Sequence, residues 1–524
     1  MRKILVLGGF VLMIFIRSNA QVVINEVFQT NGDINYDPQF YNFSGWIELY
    51  NKGNSPVSVG GYYLSNDPSN KFLWQIPGGT NISAKSYLII WCDEKYTGLH
   101  TNFKLDADGE KIVLSTSSSA LVDSLTFPSQ YVNISYGRIT DGANNRGYFS
   151  KVTPAAANSY DNAIEVLDDV TFSIEAGRYT GTQSISLSHP QSGVSIRYTL
   201  NGAEPTITSP QYSSNISITK TTTLKAKAFK TGMLPANTVS KTYFVNEHTF
   251  TLPVVSLSTN PNYLWDNTIG IYTDGTNGVP GNCNPNPMNW NQDWARHAVF
   301  EYFNESGSRK HAQSLDIRIG GACSRNQPQK SFALKARDKY GNNTLDYPLF
   351  PTKEIYEYGA FNINNSGNDF NVTMFRDAML QSLAADQMDI DYMEYQPSVL
   401  YLNGEYWGIE NLREKIDGDY IKANFDIDAE DVDLIETYGN AIEGSGDAYQ
   451  NYLQTLQGMN ANDPATFTFI DNHIDVQEYI NYLVTEIYYA NTDWPGNNIK
   501  FWRQRSTNGK YRWILWDLDF GFGL

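Results

Sequence analysis

The sequence is poor in positive charge. Its 524 residues include 38 lysines and arginines against 56 aspartates and glutamates, a formal net charge of −18 at pH 7. Because binding to the phosphate backbone of a nucleic acid needs a basic surface, this balance argues against nucleic acid as a partner. We expect phosphate binding only at local clusters of lysine and arginine.

Cysteine is scarce as well, with Cys92, Cys283 and Cys323 as the only three. No pair has Cys-x-x-Cys spacing and the six histidines form no His-Glu-x-x-His pattern, so no zinc centre is predicted. The odd number leaves at least one thiol unpaired. Cys92 lies in an apolar, strand-like run and is expected to be buried, whereas Cys283 and Cys323 share a later region and could form a disulfide.

Long hydrophobic runs are absent after the N-terminus. Met1-Arg2-Lys3 precedes an almost unbroken apolar run from Ile4 to Ile16, and Ser18-Asn19-Ala20 then offers small residues for cleavage. This layout predicts a signal peptide over residues 1–20 and a product that is secreted or held at the cell surface. The alternative is an anchor helix that stays attached. No other stretch reaches the ~18 apolar residues of a membrane helix, so no membrane span is predicted after cleavage.

The chain is nevertheless rich enough in aromatic residues, at 14%, to build packed cores, which excludes wholesale disorder. Its length predicts about three or four domains. The abundance of glycine, asparagine, serine and threonine favours turn-rich β domains over helical bundles.

Short β runs separated by turns fill residues 21–158, which predicts a β-sandwich. The zone resembles the lamin tail domain, an immunoglobulin-like sandwich, through Ile24-Asn25-Glu26, Trp46-Ile47-Glu48-Leu49-Tyr50-Asn51, Gly60-Gly61-Tyr62-Tyr63-Leu64-Ser65, Ser135-Tyr136-Gly137-Arg138 and Val152-Thr153-Pro154-Ala155-Ala156-Ala157-Asn158. Glu26 and Glu48 form either a carboxylate pair or, the favoured interpretation, a polar strand edge that holds turn backbone.

A second β zone spans residues 167–246. It contains an alternating strand that ends at Asn201-Gly202, a hairpin signal, and a two-faced strand from Thr221 to Lys230. These segments resemble the small sandwich appended to chitobiases. The resemblance implies a spacer or a weak contact to a cell-surface glycan, without catalytic residues.

The third zone, residues 249–524, mixes strands with helical periodicity and is predicted to be α+β. Residues 373–385 and 476–490 each place an apolar stripe along one helical side. A strand pair joined by Asn403-Gly404 predicts a hairpin between them.

The chemistry of this zone concentrates near its end. Asp493 follows a helical segment and precedes Asn498 by five residues, and a strand-turn-strand then leads to Asp517 and Asp519. This order is typical of a kinase catalytic half, where an Asp orients the acceptor hydroxyl and an Asn and a later Asp hold the metal. The alternative is that Asp493 and Asn498 cap a turn while Asp517 and Asp519 end a strand.

Candidate phosphate-binding groups lie upstream, in a turn that has neither a Gly-x-Gly-x-x-Gly nor a Walker sequence. Ser324 and Arg325 belong to this turn, and Arg318 precedes it. Lys330 and Lys335 follow on a strand; since their separation is odd they face opposite sides, so only one of them can face a nucleotide.

These segments resemble the spore coat protein H (CotH) kinase family, through Gly320-Gly321, Ser324-Arg325, Gln327-Pro328-Gln329-Lys330-Ser331-Phe332, Leu412-Arg413-Glu414-Lys415-Ile416-Asp417, Asn491-Thr492-Asp493 and Trp516-Asp517-Leu518-Asp519. The resemblance departs at the first turn, where Ile319 separates Arg318 from Gly320. It implies an atypical protein kinase with Asp493 as catalytic residue, metal ligands at Asn498, Asp517 and Asp519, and nucleotide contacts at Arg318, Ser324, Arg325, Lys330 or Lys335, and Glu414.

Together these features predict two immunoglobulin-like sandwiches followed by an α+β, kinase-like domain. The expected activity is transfer of the γ-phosphoryl of ATP, with Mg²⁺ or Mn²⁺, to Ser or Thr of an exported or surface protein. The alternative is an inactive surface or adhesion protein that uses its sandwiches for attachment. Because a kinase-like lobe continues past the metal-binding loop, we also expect the chain to extend beyond Leu524.

Overall fold

The computed structural model describes residues 20–159 and 165–523, so the signal peptide predicted over residues 1–20 lies almost wholly outside the described residues. The described chain forms two compact units. The first contains residues 20–29, 45–130 and 135–159, and the second contains residues 30–44, 131–134 and 165–523. Within the described residues, no helix is long and apolar enough to span a membrane.

The first unit is a β-sandwich. Its strands are β1 Val22–Phe28, β2 Gly45–Asn51, β3 Val57–Ser58, β4 Tyr63–Ser65, β5 Trp74–Gln75, β6 Asn81–Ile82, β7 Tyr87–Cys92, β8 Lys111–Ser115, β9 Leu121–Thr126, β10 Ser135–Arg138 and β11 Arg146–Phe149. The two larger sheets have the orders β11-β10-β1-β2-β7 and β5-β4-β8-β9, and β3 pairs with β6 in a small third sheet. Their facing side chains form one core that includes the free thiol of Cys92, so its predicted burial is confirmed.

Glu26 and Glu48 lie opposite each other on β1 and β2, and both are fully buried. Glu48 accepts a hydrogen bond from the amide of Ala155 at 2.8 Å, and Glu26 accepts one from the hydroxyl of Thr153 at 2.9 Å. The prediction that they hold backbone is confirmed, because the backbone amide of Thr153 also donates to Glu26, at 3.4 Å. Their location at a strand edge is wrong, because β1 and β2 are interior strands of their sheet.

The second unit begins with a smaller sandwich. Its strands are β12 Thr171–Phe172, β13 Gly177–Tyr179, β14 Gln183–Ile185, β15 Leu187–Ser188, β16 Ser195–Thr199, β17 Ile216–Ile218, β18 Thr222–Phe229 and β19 Val239–Val245. A four-stranded sheet, β13-β19-β18-β16, packs with the two-stranded sheets β12-β15 and β14-β17 around a shared apolar core. The strands predicted on either side of Asn201-Gly202 are thus present.

The rest of this unit contains the strands β20 Val254–Ser258, β21 Val279–Gly281, β22 Asn284–Met288, β23 Arg296–Phe303, β24 Arg309–Ile319, β25 Phe332–Lys335, β26 Leu345–Asp346, β27 Glu357–Tyr358, β28 Ala360–Asn364, β29 Asp391–Tyr392, β30 Tyr395–Leu402, β31 Glu405–Glu414, β32 Val432–Glu436, β33 Asn440–Glu443, β34 Lys500–Gln504 and β35 Arg512–Leu515. Its α-helices are α1 Pro261–Trp265, α2 Arg376–Ala385, α3 Gly418–Phe425, α4 Asp447–Gln457, α5 Pro464–His473 and α6 Val476–Tyr488. The region is therefore α+β, as predicted.

Seven strands close into a barrel with the order β20-β23-β24-β25-β28-β31-β30. Its interior is filled by apolar side chains such as Phe300, Leu334 and Leu412. The hairpin of β30 and β31 turns at Asn403 and Gly404, which both have positive φ, as the Asn-Gly signal predicts.

A second sheet, β29-β35-β34-β32-β33, follows the barrel. Successive residues of a strand face opposite sides, so Phe501 packs with α2, α4 and α6 while Trp502 packs with α3. Because β34 and β35 are antiparallel, the start of β34 and the end of β35 lie at the same edge of this sheet. The loops that carry the predicted catalytic and metal-binding residues meet there.

The apolar stripes predicted for α2 and α6 exist, but most of each stripe faces outward. Leu380 is fully buried, whereas Leu383 is 55% exposed; on α6, Ile480 and Val484 are about half exposed. The helical period places side chains on a common side without specifying which part of that side meets the core.

Candidate active site

Asp493 and Asn498 lie in the loop between α6 and β34. The side-chain amide of Asn491 binds Glu486 at 2.9 Å, and the carbonyl of the same amide accepts from the backbone of Asp493 at 3.2 Å. Asn498 Nδ2 then donates to Asp493 Oδ2 at 3.0 Å. Asn498 is buried and has φ of 57°, a left-handed conformation that asparagine tolerates better than most residues. This loop therefore fixes the two predicted residues against each other.

Asp517 and Asp519 lie in the turn that follows β35. The carboxylate of Asp519 accepts two bonds on Oδ2, from the backbone amide of Asn368 at 2.7 Å and from its side chain at 3.1 Å. Its Oδ1 is buried and has no hydrogen-bond partner in the described residues. Gly367 permits this approach, since its φ is 60° and a Cβ there would lie 2.4 Å from Asp519 Oδ2.

The acidic residues of the two loops act on one another electrostatically. Burial raises the pKa of Asp517 well above its usual range, and the charges of Asp519, Asp377 and Asp493 raise it further. Burial, with the charges of Asp377 and Asp493, likewise raises the pKa of Asp519 to about 6. A bound cation would offset both the burial and the repulsion.

The donor set fits a hard divalent cation. Carboxylate and amide oxygens are the ligands that Mg²⁺ prefers, and Asp517, Asp519 and Asn498 supply them at one edge of the sheet. The unused Oδ1 of Asp519 offers a buried oxygen ready for such an ion. Asp517, Asp519 and Asn498 are the residues of this cluster that would hold such an ion.

A small open pocket lies beside this acidic cluster. Asp517 and Asp519 line it together with Asp377, Arg376 and Arg413. Other lining residues come from β28, the segment after it, α2 and β31, and are Asn364, Ser366, Gly367, Met374, Phe375, Ala378 and Asn411. The pocket thus lies between elements of the barrel and elements of the second sheet.

Asp377, which the sequence interpretation missed, links these parts. Its Oδ1 accepts from the backbone amide of Leu518 at 2.8 Å and from Gln381 at 2.7 Å, and its Oδ2 lies 2.8 Å from Arg413 Nη2. No motif around Asp377 signals this role, because its partner in the metal-binding turn lies 141 residues away.

Lys330 turns away from the pocket into its own loop. Its ammonium donates to the carbonyls of Arg325 at 2.6 Å and Gln327 at 3.0 Å, and it lies 4.4 Å from the ring centroid of Trp290. Burial lowers the pKa of Lys330 to about 8. Lys330 therefore stabilises the turn that follows Gly320 and Gly321.

The other residues of this turn also bind protein groups. Arg325 donates to the carbonyl of Gly321 at 2.7 Å and to that of Asn291 at 3.0 Å, while Arg318 pairs with Asp293 at 2.6 Å. The turn is further tied by a Cys283–Cys323 disulfide, one of the two states that the sequence left open.

Asn365 joins the turn to the loop that holds Asp519. Its side-chain amide donates to the carbonyls of Ser324 at 3.2 Å and Gln329 at 2.7 Å, and its Oδ1 accepts from the amide of Gly367 at 3.1 Å. Asn365 thus connects the backbone of Ser324 to the loop that holds Asp519, but Ser324 does not line the pocket.

Lys335 and Glu414 lie elsewhere on the barrel. Lys335 is half-exposed and its ammonium lies 3.4 Å from Asp419, whereas the buried Glu414 pairs with Lys353 at 2.5 Å. Glu414 and Asp419 line a different, smaller pocket. Among the predicted residues, Lys335 has the more accessible ammonium of the two candidate lysines.

Three family models match the chain. Residues 17–129 match the lamin tail domain, residues 174–240 the chitobiase/β-hexosaminidase C-terminal domain, and residues 317–524 the CotH kinase protein. No curated protein matches the chain. The three resemblances inferred from the sequence, and their order, are therefore confirmed. Asp493, Asn498, Asp517 and Asp519 all lie within the CotH match.

Proposed function

We propose that this chain is a secreted atypical protein kinase that transfers the γ-phosphoryl of ATP to Ser or Thr of exported or surface proteins. The match of residues 317–524 to the CotH kinase model supports a kinase-like function. The observation that carries the proposal is the meeting of Asp493, Asn498, Asp517 and Asp519 at one edge of the second sheet, beside an open pocket.

We assign to Asp493 the binding of the acceptor hydroxyl. Asn497 and Asn498 both donate to its Oδ2, at 3.2 and 3.0 Å, and this holds the carboxylate in one orientation with Oδ1 available to the acceptor hydroxyl. Asp493 orients that hydroxyl and accepts its proton as the oxygen–phosphorus bond forms and ADP leaves. Asn498 is thus both a positioning residue for Asp493 and a candidate metal ligand.

The metal-binding role falls to Asp517 and Asp519, with Asn498. A bound Mg²⁺ or Mn²⁺ would neutralise negative charge on the phosphates of the nucleotide. The protein supplies the fixed positions: Asn368 holds Asp519, and Asp377 holds the backbone of Leu518 between the two carboxylates. Preorganised charges of this kind need no rearrangement during the reaction.

The nucleotide contacts at Arg318, Ser324, Arg325, Lys335 and Glu414 stay part of the proposal. Lys330 is assigned a supporting role, because its ammonium already binds two carbonyls of the turn. Of the two candidate lysines, Lys335 stays the predicted phosphate contact because its ammonium is the more accessible, although it does not line the acidic pocket.

The test is incorporation of labelled γ-phosphate into a generic Ser/Thr acceptor by the full chain, with Mg²⁺ or Mn²⁺. Asp493→Ala is expected to abolish labelling while the circular dichroism spectrum is retained. Asp471→Ala is the matched control, because Asp471 is an exposed carboxylate that pairs with Lys510 at 3.3 Å. Equal labelling by wild type and Asp493→Ala would refute the mechanism. Absence of nucleotide binding in calorimetry, with every metal, would favour an inactive surface protein.

A further inference from the structure

Arg413 is a buried cation with unused donors. It lies on β31, where Leu412 points into the barrel core and the neighbouring Asn411 and Arg413 line the acidic pocket. The side chain of Arg413 is only 3% exposed. Such a guanidinium has five N–H donors that normally find partners when they are buried.

Those donors are largely unsatisfied. Nη2 lies 2.8 Å from Asp377 Oδ2, an ion-pair contact, yet Nε, Nη1 and Nη2 make no hydrogen bond of good geometry within the described residues. Asp377 Oδ1 is already bound by Leu518 and Gln381, which leaves Oδ2 as its only oxygen for Arg413. Leaving a buried donor unpaired is costly, so the arrangement is explained if a ligand completes it.

The pocket around Arg413 defines the chemistry of that ligand. Asp517 and Asp519 line the same pocket, and their carboxylates are the metal ligands of the proposed function. A group that meets both a bound cation and a planar guanidinium must be an anion with several oxygens. Phosphate has this shape, and arginine binds it through two parallel N–H bonds.

We propose that Arg413 binds phosphate oxygens of the nucleotide in the acidic pocket. This inference rests on the proposed function and assigns to it a positively charged residue that lines the acidic pocket, which Arg318 and Arg325 do not. The ion pair with Asp377 keeps the guanidinium of Arg413 in position when the pocket holds no phosphate.

The test is calorimetric titration of the full chain, with Mg²⁺, by a non-hydrolysable ATP analogue and by AMP. Arg413→Lys keeps the positive charge but removes the planar guanidinium. It is expected to weaken binding of the ATP analogue about tenfold to hundredfold and binding of AMP far less. Mn²⁺ binding without nucleotide should be unchanged. Arg503→Lys is the matched control, since Arg503 pairs with the buried Asp433 at 3.0 Å in the same domain. Analogue affinity equal to wild type in folded Arg413→Lys overturns the proposal.

Pyrophosphate serves as a second probe that separates this inference from the proposed function. If wild type binds pyrophosphate but no nucleotide, and Arg413→Lys loses the binding, the kinase proposal fails and the phosphate site stands. If wild type binds neither probe, both fail. Should Arg413→Lys not fold, Asp377→Asn replaces it. Asp377→Asn releases Arg413 and is expected to increase the affinity for pyrophosphate more than Asp493→Asn does, although both variants remove one negative charge. An equal or smaller increase overturns the proposal.

Discussion

The side-chain amide of Asn498 donates a hydrogen bond to Asp493 Oδ2 at 3.0 Å, and thereby links the proposed catalytic carboxylate to a proposed metal ligand. The adjacent Asn497 makes a similar bond at 3.2 Å from an exposed position. The two amides differ in burial and in chemical role. Their comparison therefore separates orientation of Asp493 from metal binding.

We expect Asn498→Ala to reduce phosphoryl transfer by about a hundredfold or more, since it removes both functions. Asn497→Ala should lose much less, because the bond from Asn498 still orients Asp493. Initial rates of phosphate transfer at saturating ATP measure the difference. Equal losses in the two variants would show that Asn498 has no role beyond one hydrogen bond.

Metal binding gives a second prediction. Asp519→Asn should weaken Mn²⁺ binding by about tenfold or more, because it removes a charged oxygen ligand from a buried site. The amide oxygen of the variant can still accept from Asn368, so the loop is expected to stay in place. Calorimetric titration with Mn²⁺ measures the affinity, and Asp471→Asn is the control. Unchanged affinity in Asp519→Asn would remove Asp519 from the metal site.

The sequence predicted the acidic loops for a physical reason. Asp493 to Asn498 and Asp517 to Asp519 flank a strand-turn-strand, and antiparallel pairing brings the two ends together at one edge. Asp377 and Asn368 escaped prediction because they reach the site through contacts over more than a hundred residues, and Arg413 because it joins the site through Asp377.

The orientation of Lys330 could not be predicted either. Strand alternation assigned opposite faces to Lys330 and Lys335, but β25 begins only at Phe332, so Lys330 belongs to the turn. Its ammonium therefore donates hydrogen bonds to the carbonyls of Arg325 and Gln327 in the same turn. Local alternation holds only where a strand exists.

Helix α2 provides a third prediction that tests the fold itself. Leu380 is fully buried against the second sheet, while Leu383, one turn away on the predicted stripe, is 55% exposed. Leu380→Ala should lower the free energy of unfolding by about 2–5 kcal/mol, and Leu383→Ala by less than about 0.5 kcal/mol. Chemical denaturation followed by circular dichroism measures both. Similar losses in the two variants would contradict the outward orientation of the stripe.

The buried Glu48 of the first sandwich gives a pH-dependent prediction. Burial raises the pKa of Glu48 to about 8, and the nearby Glu26 contributes to the rise. The folded chain thus keeps a proton that the unfolded chain releases above its ordinary pKa near 4.5. Because the folded state binds more protons in this window, stability must fall as the pH rises from about 5 to about 8.

Replacing Glu48 with Gln removes this titration. The thermal midpoint of Glu48→Gln relative to wild type should therefore increase as the pH is raised from about 5 to about 8, and scanning calorimetry at several pH values measures it. Glu94→Gln is the matched control, because Glu94 is exposed and pairs with Lys104 at the surface. A constant difference between Glu48→Gln and wild type across this range would mean that Glu48 is ionised in the folded sandwich, with the bond from Ala155 outweighing the cost of its burial.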